Sequence, residues 1–155
     1  MADNLQQRKA LFLDRDGVIN VNHGYVYKIE NFEFIDGIFE IVKEYADSGH
    51  IVIVITNQSG ISRGYYGEDD FQRVTEYMIN EFKKRNIEIS KVYHCPDHPE
   101  FSESWECRKP NPYMILEAQR EFNIDLKNST LIGDSKTDIE AGENAGVGRN
   151  ILIKF

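Results

Sequence analysis

Residues 10–17 read ALFLDRDG, a short apolar run that ends in two aspartates separated by one residue. Several apolar residues in succession are typical of a strand that is buried on both faces of a sheet. Because the apolar run stops at Asp14, the polar residues after it mark the end of that strand. The stretch therefore predicts a buried strand, Ala10–Leu13, with Asp14 and Asp16 at its carboxyl end.

Apolar runs of this kind alternate with helical patterns along the chain. Ile38, Ile41 and Tyr45 fall at offsets of three and four, which predicts an amphipathic helix. The alternation predicts an α/β fold, a Rossmann-like open and mostly parallel sheet with helices on both faces. The predicted strands are Ala10–Leu13, Ile51–Ile55, Lys91–Tyr93, Thr130–Ile132 and Asn150–Ile153. The predicted helices are Gly37–Ser48, Glu68–Arg85, Pro112–Phe122 and Lys136–Ala145.

The length and charge of the chain narrow the classes of function. A chain of 155 residues has the length of about one domain, so we expect a single domain over residues 1–155. The net charge of -8 argues against a nucleic-acid-binding protein, because neutralising nucleic-acid phosphates requires a basic face. A small anionic substrate would need local cations or a metal ion, since the overall field repels it. We expect a monomer that acts on a small molecule.

The apolar segments bear on the location of the protein. The longest apolar run, Ile51–Ile55, is too short to cross a bilayer. The segment of residues 1–9 is polar and lacks the apolar core of a signal peptide. We therefore expect no membrane association and a cytoplasmic location.

Polar motifs lie close to the carboxyl ends of the predicted strands, where open parallel sheets bind their ligands. Each motif alone is common in turns, helix caps or solvated surfaces. Together they supply carboxylates, a hydroxyl and a lysine, which suits phosphoryl transfer, because that chemistry depends on positioning and charge neutralisation. The motifs are Asp14-Arg15-Asp16-Gly17, Thr56-Asn57-Gln58-Ser59-Gly60, Arg108-Lys109-Pro110 and Gly133-Asp134-Ser135-Lys136-Thr137-Asp138.

The motifs, in this order, resemble those of the haloacid dehalogenase superfamily of phosphatases. More narrowly, the chain resembles the branch that converts heptose 1,7-bisphosphate to the 1-phosphate, with the histidinol-phosphatase branch as a near relative. The stretches that carry this resemblance are FLDRDGVIN (12–20), HGYV (23–26), NFEFIDG (31–37) and TNQSGI (56–61). The resemblance extends from Leu11 to about Lys154 and implies a fold without a large cap domain.

The resemblance implies catalysis through an aspartyl phosphate. Asp14 would be the nucleophile that attacks phosphorus. Asp16 would be the general acid for the leaving sugar oxygen and then the general base for water. Thr56 and Lys109 would hold and neutralise the phosphoryl oxygens.

The resemblance also implies a magnesium ion, which suits hard oxygen ligands. Its ligands would be the Asp14 carboxylate, the Asp16 backbone carbonyl and the Asp134 carboxylate. Asp138 follows Asp134 by one helical turn, so both can face the site. We expect Asp138 to orient Lys109 or a metal-bound water.

Members without a large cap recognise sugars through loops. Arg108 resembles the residue that reads the distal phosphate, a task for which a guanidinium fork is better suited than an ammonium. Gly60 and Gly64 are expected to let the backbone turn tightly near the substrate. For His23 and Tyr25, ordinary loop packing is the alternative. The expected substrate-binding residues are Asn22, His23, Gly24, Tyr25, Asn57, Gln58, Ser59 and Arg108.

The chain departs from the family pattern in one loop. Relatives carry a zinc loop of the type Cys-x-His with Cys-x-Cys, whereas this chain reads CPDH (95–98) and WEC (105–107). Asp97 stands at the histidine position and Trp105 at a cysteine position.

Structural zinc normally has four nitrogen or sulfur ligands, so the ligand set here is incomplete. We expect that the loop has lost its metal and is held by packing of Trp105, Phe101 and the prolines. The alternative is a degenerate zinc site formed by Cys95, His98 and Cys107, with His94 or Asp97 as the fourth ligand. A chain with only two cysteines predicts no disulfide framework.

Three other functions use similar residues. A histidinol-phosphate phosphatase shares every chemical motif. A polynucleotide 3′-phosphatase shares much of the core, but the acidic charge argues against it. A phospho-receiver signalling domain also has acidic residues, Thr and Lys around an Asp. Its phosphoacceptor would follow the third strand, whereas the paired aspartates here follow the first.

Overall fold

The strand that ends at Asp14 lies at the centre of the sheet. A computed structural model describes residues 6–155, which form a five-stranded parallel sheet of order β3-β2-β1-β4-β5. The strands are β1 (Ala10–Leu13), β2 (Ile51–Asn57), β3 (Ile89–Cys95), β4 (Thr130–Gly133) and β5 (Arg149–Leu152). The helices are α1 (Ile38–Asp47), α2 (Glu68–Lys83), α3 (Tyr113–Phe122) and α4 (Lys136–Ala145), with short 3-10 helices at Ile29–Asn31 and Leu126–Asn128.

Helices cover both faces of the sheet, because successive residues of a strand point to opposite sides. Leu11 and Leu13 belong to a cluster with Val42 of α1 and Phe82 of α2. The residue between them, Phe12, joins a second cluster that also contains residues of α3 and α4, including Met114, Ile115, Ala118 and Ala141. A fully buried side chain of this size stabilises the fold by about 1.5–3 kcal/mol. The predicted Rossmann-like fold class is confirmed.

The predicted bounds of some elements differ from the observed ones. The differences arise where hydrogen bonds between strands, or the residue that caps a helix, set the end of the element. β3 extends beyond the predicted Lys91–Tyr93, because Ile89 and Cys95 continue the ladder with β2. α1 excludes Gly37, whose φ of 87° is left-handed and cannot belong to a right-handed helix. α4 begins and ends as predicted, at Lys136 and Ala145.

The topology brings the polar motifs to one edge. From β1 the chain adds β2 and β3 on one side of the sheet, and then β4 and β5 on the other. A crevice opens at the carboxyl ends of the strands where the order reverses, and this is where such sheets bind ligands. The ends of β1, β2 and β4 lie at this edge.

In residues 6–155 no helix is both long and apolar enough to cross a membrane. The first five residues of the polar N-terminal segment noted in the sequence lie outside the described residues.

Candidate active site

A buried lysine joins three elements at the carboxyl edge of the sheet. Lys109 is only 4% exposed. Its Nζ donates hydrogen bonds to Asp14 Oδ1 at 2.9 Å, to Asp138 Oδ1 at 2.6 Å and to the Ile55 carbonyl at 3.1 Å. These contacts use all three donors of the ammonium group. Because an unpaired buried ion costs several kcal/mol, Lys109 and the two carboxylates form one mutually dependent unit.

The three charges shift one another's proton affinity. Burial raises the pKa of Asp14 well above its ordinary value, and the neighbouring charge of Lys109 only partly opposes this. For Lys109, burial disfavours the ammonium, but the carboxylates of Asp14 and Asp138 raise its pKa overall. Burial also opposes ionisation of Asp138, yet the charge and hydrogen bond of Lys109 lower the pKa of that carboxyl. Lys109 is therefore charged, and Asp138 is its anionic partner.

The second oxygen of Asp138 fixes the start of α4. Asp138 Oδ2 accepts hydrogen bonds from the backbone N–H groups of Asp134 and Ser135, both at 3.2 Å, and from the Ser135 hydroxyl at 2.9 Å. These bonds satisfy donors that the first turn of a helix leaves free. Gly133 is required here, since a Cβ at this position would lie 2.3 Å from the Asp138 Cβ. The turn thereby holds Asp134 beside the cavity.

Asp16 is fixed by three donors. Its Oδ1 accepts from Arg15 Nη2 and Asn20 Nδ2, each at 2.9 Å, and its Oδ2 accepts from Gln58 Nε2 at 3.1 Å. Arg15 is 1% exposed, and its Nη2 also donates to the Val26 carbonyl at 2.8 Å. Arg15 and Asn20 were not expected from the sequence as site residues. The sequence feature that could have indicated them is that both lie within four residues of Asp16.

Gln58 connects the end of β2 to Asp16. Its Nε2 also donates to the hydroxyl of Thr56 at 2.9 Å, and its Oε1 accepts from the Tyr66 hydroxyl. Thr56 is fully buried, and burial raises the pKa of Tyr66, so the phenol stays protonated and remains a donor. Gly60 permits this arrangement, because a Cβ there would lie 2.2 Å from the Tyr66 ring.

A cavity of about 390 Å³ opens above these groups. The cavity is lined by residues that follow three different strands and by residues of the loop after Asn20. Its lining residues are Asp14, Asp16, Asn22, Gly24, Tyr25, Asn57, Gln58, Ser59, Tyr66, Lys109, Asp134, Ser135, Thr137 and Asp138.

Two residues expected in substrate binding do not line the cavity. His23 Nε2 lies 3.2 Å from Glu33 Oε1, and the His23 side chain is 49% exposed. Arg108 lies outside the cavity lining, and its Nη1 donates to the Asp97 carbonyl at 3.4 Å. Gly64 adopts a left-handed φ of 81°, as expected for a tight turn in this region.

The carboxylates at this edge suit a divalent cation. Oxygens of Asp14, Asp134 and Asp138 lie within 4.8 Å of one another, and oxygen ligands are those that magnesium prefers. Both Asp138 oxygens already accept hydrogen bonds, which leaves Asp14 and Asp134 as the carboxylates that fit. Gly17 makes room, because a Cβ there would lie 1.9 Å from Asp134 Oδ2. A cation would also favour the ionised form of Asp14, which burial disfavours.

Comparison with known proteins agrees with this geometry. The HAD-hydrolase-like family model matches residues 106–154. The D-glycero-alpha-D-manno-heptose-1,7-bisphosphate 7-phosphatase of Campylobacter jejuni is 53% identical over 145 residues, which cover 94% of this chain and 82% of the relative. The chain belongs to the haloacid dehalogenase-like phosphatases. It is therefore a hydrolase of phosphate esters, as the resemblance implied.

Other members of this phosphatase family are similar in sequence and in fold. The Burkholderia mallei enzyme of the same name is 51% identical and covers 95% of this chain and 80% of its own length. The D,D-heptose 1,7-bisphosphate phosphatase of B. bronchiseptica, solved with magnesium and phosphate, superposes with a TM-score of 0.84 at 26% identity. That superposition covers 92% of this chain and 79% of the solved chain. This chain and the solved B. bronchiseptica phosphatase thus have the same fold.

The loop at which the family pattern breaks contains a disulfide. Cys95, at the end of β3, is bonded to Cys107, with their Cα atoms 5.5 Å apart. This bond was not expected, because a chain with only two cysteines has no disulfide framework and the spacing of the two resembles that of metal ligands. His98 lies apart from the cysteines, with Nε2 3.2 Å from Arg63 Nη2. The acidic Asp97 is the residue that approaches Cys107, at 3.5 Å.

Two corrections follow for this loop. The ligand set of Cys95, His98 and Cys107 is not assembled, because the His98 ring contacts Arg63; the residues that lie within 4.8 Å of one another are Cys95, Asp97 and Cys107. The expectation that aromatic packing holds the loop is also wrong, since Phe101 is 50% exposed and Trp105 is 42% exposed. The disulfide, polar contacts and the contact of the Phe101 ring with Arg63 hold the loop instead.

Proposed function

We propose that the protein removes the 7-phosphate of D-glycero-D-manno-heptose 1,7-bisphosphate, with magnesium as its cofactor, and leaves the 1-phosphate. The observation that carries the proposal is the buried contact of Lys109 with Asp14 and Asp138, next to Asp16 and beneath a polar cavity. The names of the relatives support the substrate. Those at 53% and 51% identity are named for the α anomer, and one from Yersinia pestis at 44% for the β anomer, so we propose the α anomer as preferred.

In the first half-reaction, Asp14 forms a bond to phosphorus. Asp14 Oδ1 is held by Lys109, which leaves Oδ2 to attack while the bond from phosphorus to the sugar oxygen breaks. Asp16 gives its proton to the departing sugar oxygen and becomes a carboxylate. Arg15 and Asn20 are positioned to stabilise that carboxylate, because both donate to its Oδ1.

In the second half-reaction, water attacks the phosphorus of the aspartyl phosphate. The Asp16 carboxylate takes a proton from that water, and the bond between phosphorus and Asp14 breaks. Lys109 offsets the negative charge of the transferring group in both halves, since Nζ lies 2.9 Å from Asp14. Thr56 completes this phosphate site at the end of β2.

Magnesium would be held by the carboxylates of Asp14 and Asp134 and by the backbone carbonyl of Asp16, with Asp138 supporting Lys109. When bound, the ion would neutralise charge on the phosphoryl oxygens. The sugar would be recognised by the cavity residues Asn22, Gly24, Tyr25, Asn57, Gln58 and Ser59, and its distal phosphate by Arg108. We further propose that the chain acts as a single domain in the cytoplasm.

The test is a phosphate-release assay on four substrates. They are the α and β anomers of the heptose bisphosphate, fructose 1,6-bisphosphate and histidinol phosphate. We expect the highest kcat/KM for the α anomer, loss of activity with a chelator and recovery with magnesium. Phosphorus NMR of the product should show the 1-phosphate retained. A preference for histidinol phosphate, or full activity in strong chelator, would refute the proposal.

A further inference from the structure

Two arginines from different loops contact adjacent residues of the loop between Cys95 and Cys107. Arg63 Nη2 lies 3.2 Å from His98 Nε2, and Arg108 Nη1 donates to the carbonyl of Asp97 at 3.4 Å. Arg63 comes from the segment after β2, whereas Arg108 directly precedes Lys109. We refer to these two side chains as the arginine pair.

Among the described residues, the arginine pair has no anionic partner. In residues 6–155, neither guanidinium has a carboxylate within the 4.0 Å that defines an ion pair. Burial lowers the pKa of Arg108, and the charge of Arg63 lowers it further, so the two cations are close enough to repel. Like charges held together in a chain of net charge -8 cost free energy that an anionic ligand would recover.

The loop that ends in the disulfide holds the pair in place. The Arg63 guanidinium lies 4.9 Å from the centre of the Phe101 ring, which accounts for an aromatic side chain that does not pack into the core. Burial and both arginines lower the pKa of His98, so its ring is neutral and can accept a hydrogen bond from Arg63. A side chain fixed in this way loses little freedom when it binds a ligand.

The arginine pair lies beside the wall of the active-site cavity. Arg63 Nε donates to the hydroxyl of Ser59 at 3.4 Å, and Ser59 lines the cavity. Tyr25 lines the same cavity, and its hydroxyl is near enough to raise the pKa of Arg108. The arginine pair is therefore next to two residues of the cavity wall, Ser59 and Tyr25, which are the route by which a ligand in the cavity would approach it.

We propose that Arg63 is a specificity-determining residue that binds, together with Arg108, the phosphate of the substrate that is not cleaved. The inference rests on the proposed function for the identity of the bisphosphate. Two guanidiniums from separate loops can bind different oxygens of one phosphate dianion, with charge-assisted bonds to each. The role of the loop between Cys95 and Cys107 is then to hold Arg63 through His98 and Phe101.

The product keeps the phosphate that the arginine pair binds. Sugar 1-phosphate should therefore bind the free enzyme and compete with the substrate, whereas a sugar with only the cleavable phosphate gains nothing from Arg63. This contrast separates a specificity role from a structural one.

The experiment compares wild type with Arg63→Ala, Arg108→Ala and the double variant. Each single change should lower kcat/KM for the heptose bisphosphate by roughly 10–150-fold, the range expected for a charge-assisted hydrogen bond. Activity on a sugar monophosphate should stay close to wild type. The double variant should lose less than the product of the single losses, because both side chains bind one phosphate. Calorimetric binding of heptose 1-phosphate to the Asp14→Asn protein should weaken by the same factor when Arg63→Ala is added.

Controls separate folding from recognition. Arg73→Ala removes an equal charge from α2, where Arg73 pairs with Asp70 at 2.6 Å on the surface, and should change neither substrate. Arg63→Lys keeps the positive charge but loses the paired donors of the guanidinium. It should therefore retain part of the preference for the bisphosphate over the monophosphate, and it provides a test even if Arg63→Ala unfolds.

The two ideas fail in different ways. The proposed function fails if wild type does not hydrolyse the heptose bisphosphate. The inference about Arg63 fails if wild type hydrolyses it and the Arg63 variants do so equally well. It also fails if they lose activity equally on the bisphosphate and the monophosphate.

Discussion

Two regions that are adjacent in the chain differ in how their positive charges are placed. At the catalytic edge, Lys109 is buried and each of its donors has a partner. Immediately before it, the loop from Cys95 to Cys107 exposes Phe101 and Trp105 and supports two arginines that have no counterion among the described residues. The first region is fixed by strands of the core, and the second by contacts at the surface. The difference supports the proposal that separate parts of the molecule carry out the chemistry and select the substrate.

Asp14→Asn should abolish turnover on every substrate, because the amide has nearly the same shape but cannot attack phosphorus. Phosphate release measures this, with circular dichroism to confirm folding. Asp69→Asn, on the exposed face of α2, is the matched control and should keep full activity. Residual turnover of the Asp14 variant above contamination would exclude the covalent route.

Asp16→Asn should lower kcat/KM for the sugar bisphosphate by roughly 10²–10⁴-fold, the usual range for acid–base catalysis. The loss should be much smaller for p-nitrophenyl phosphate, whose leaving group departs without a proton. Steady-state kinetics on both substrates gives the comparison. Equal losses would mean that Asp16 does not act on the leaving group.

Lys109→Met should lower turnover by roughly 10²–10³-fold on monophosphates and bisphosphates alike, since the lysine offsets charge on the reacting group itself. It should also reduce the free energy of unfolding by about 3–5 kcal/mol, because two buried carboxylates lose their partner. Lys84→Met, which breaks a surface pair with Glu81, should cost at most about 1 kcal/mol in denaturant unfolding. A loss confined to bisphosphates would contradict the separation of the two regions.

Substitutions that break the disulfide of the loop should have the smallest effect on the rate of phosphate release. Cys95→Ser and Cys107→Ser should leave activity on a monophosphate unchanged within error and lower only the preference for the bisphosphate. Elemental analysis of protein purified without added metal should find zinc below stoichiometric amounts. Stoichiometric zinc bound through Cys95 and Cys107 would show that the loop is a metal site after all.

Local patterns were sufficient to predict which residues meet at the carboxyl edge of the sheet. The apolar run Ala10–Leu13 and the polar residues after it predict both a strand and its end, and parallel strands bring such ends together. The contact between Lys109 and Asp138 could be expected on the same grounds, because both residues belong to motifs at that edge. Helix ends such as Gly37 were less predictable, since a left-handed φ depends on the whole turn.

Contacts between distant residues could not be predicted. The burial of Arg15 depends on the Val26 carbonyl and on Asp16, and the position of Tyr66 depends on Gln58. Phe101 was expected to pack because large apolar side chains are usually buried, yet its ring lies against Arg63. Arg63 belongs to none of the polar motifs found in the sequence. It is recognised as a candidate binding residue only because the fold places it near Arg108.

The most direct test of the central claim is a rapid-quench experiment with heptose bisphosphate labelled in the phosphate at C7. The account predicts that acid quenching during turnover traps the label on the peptide that contains Asp14, and that the label disappears as substrate is consumed. Asp14→Asn should trap none, and label in the C1 phosphate should never appear on the protein. Label on a different peptide, or turnover without any protein-bound label, would contradict the account.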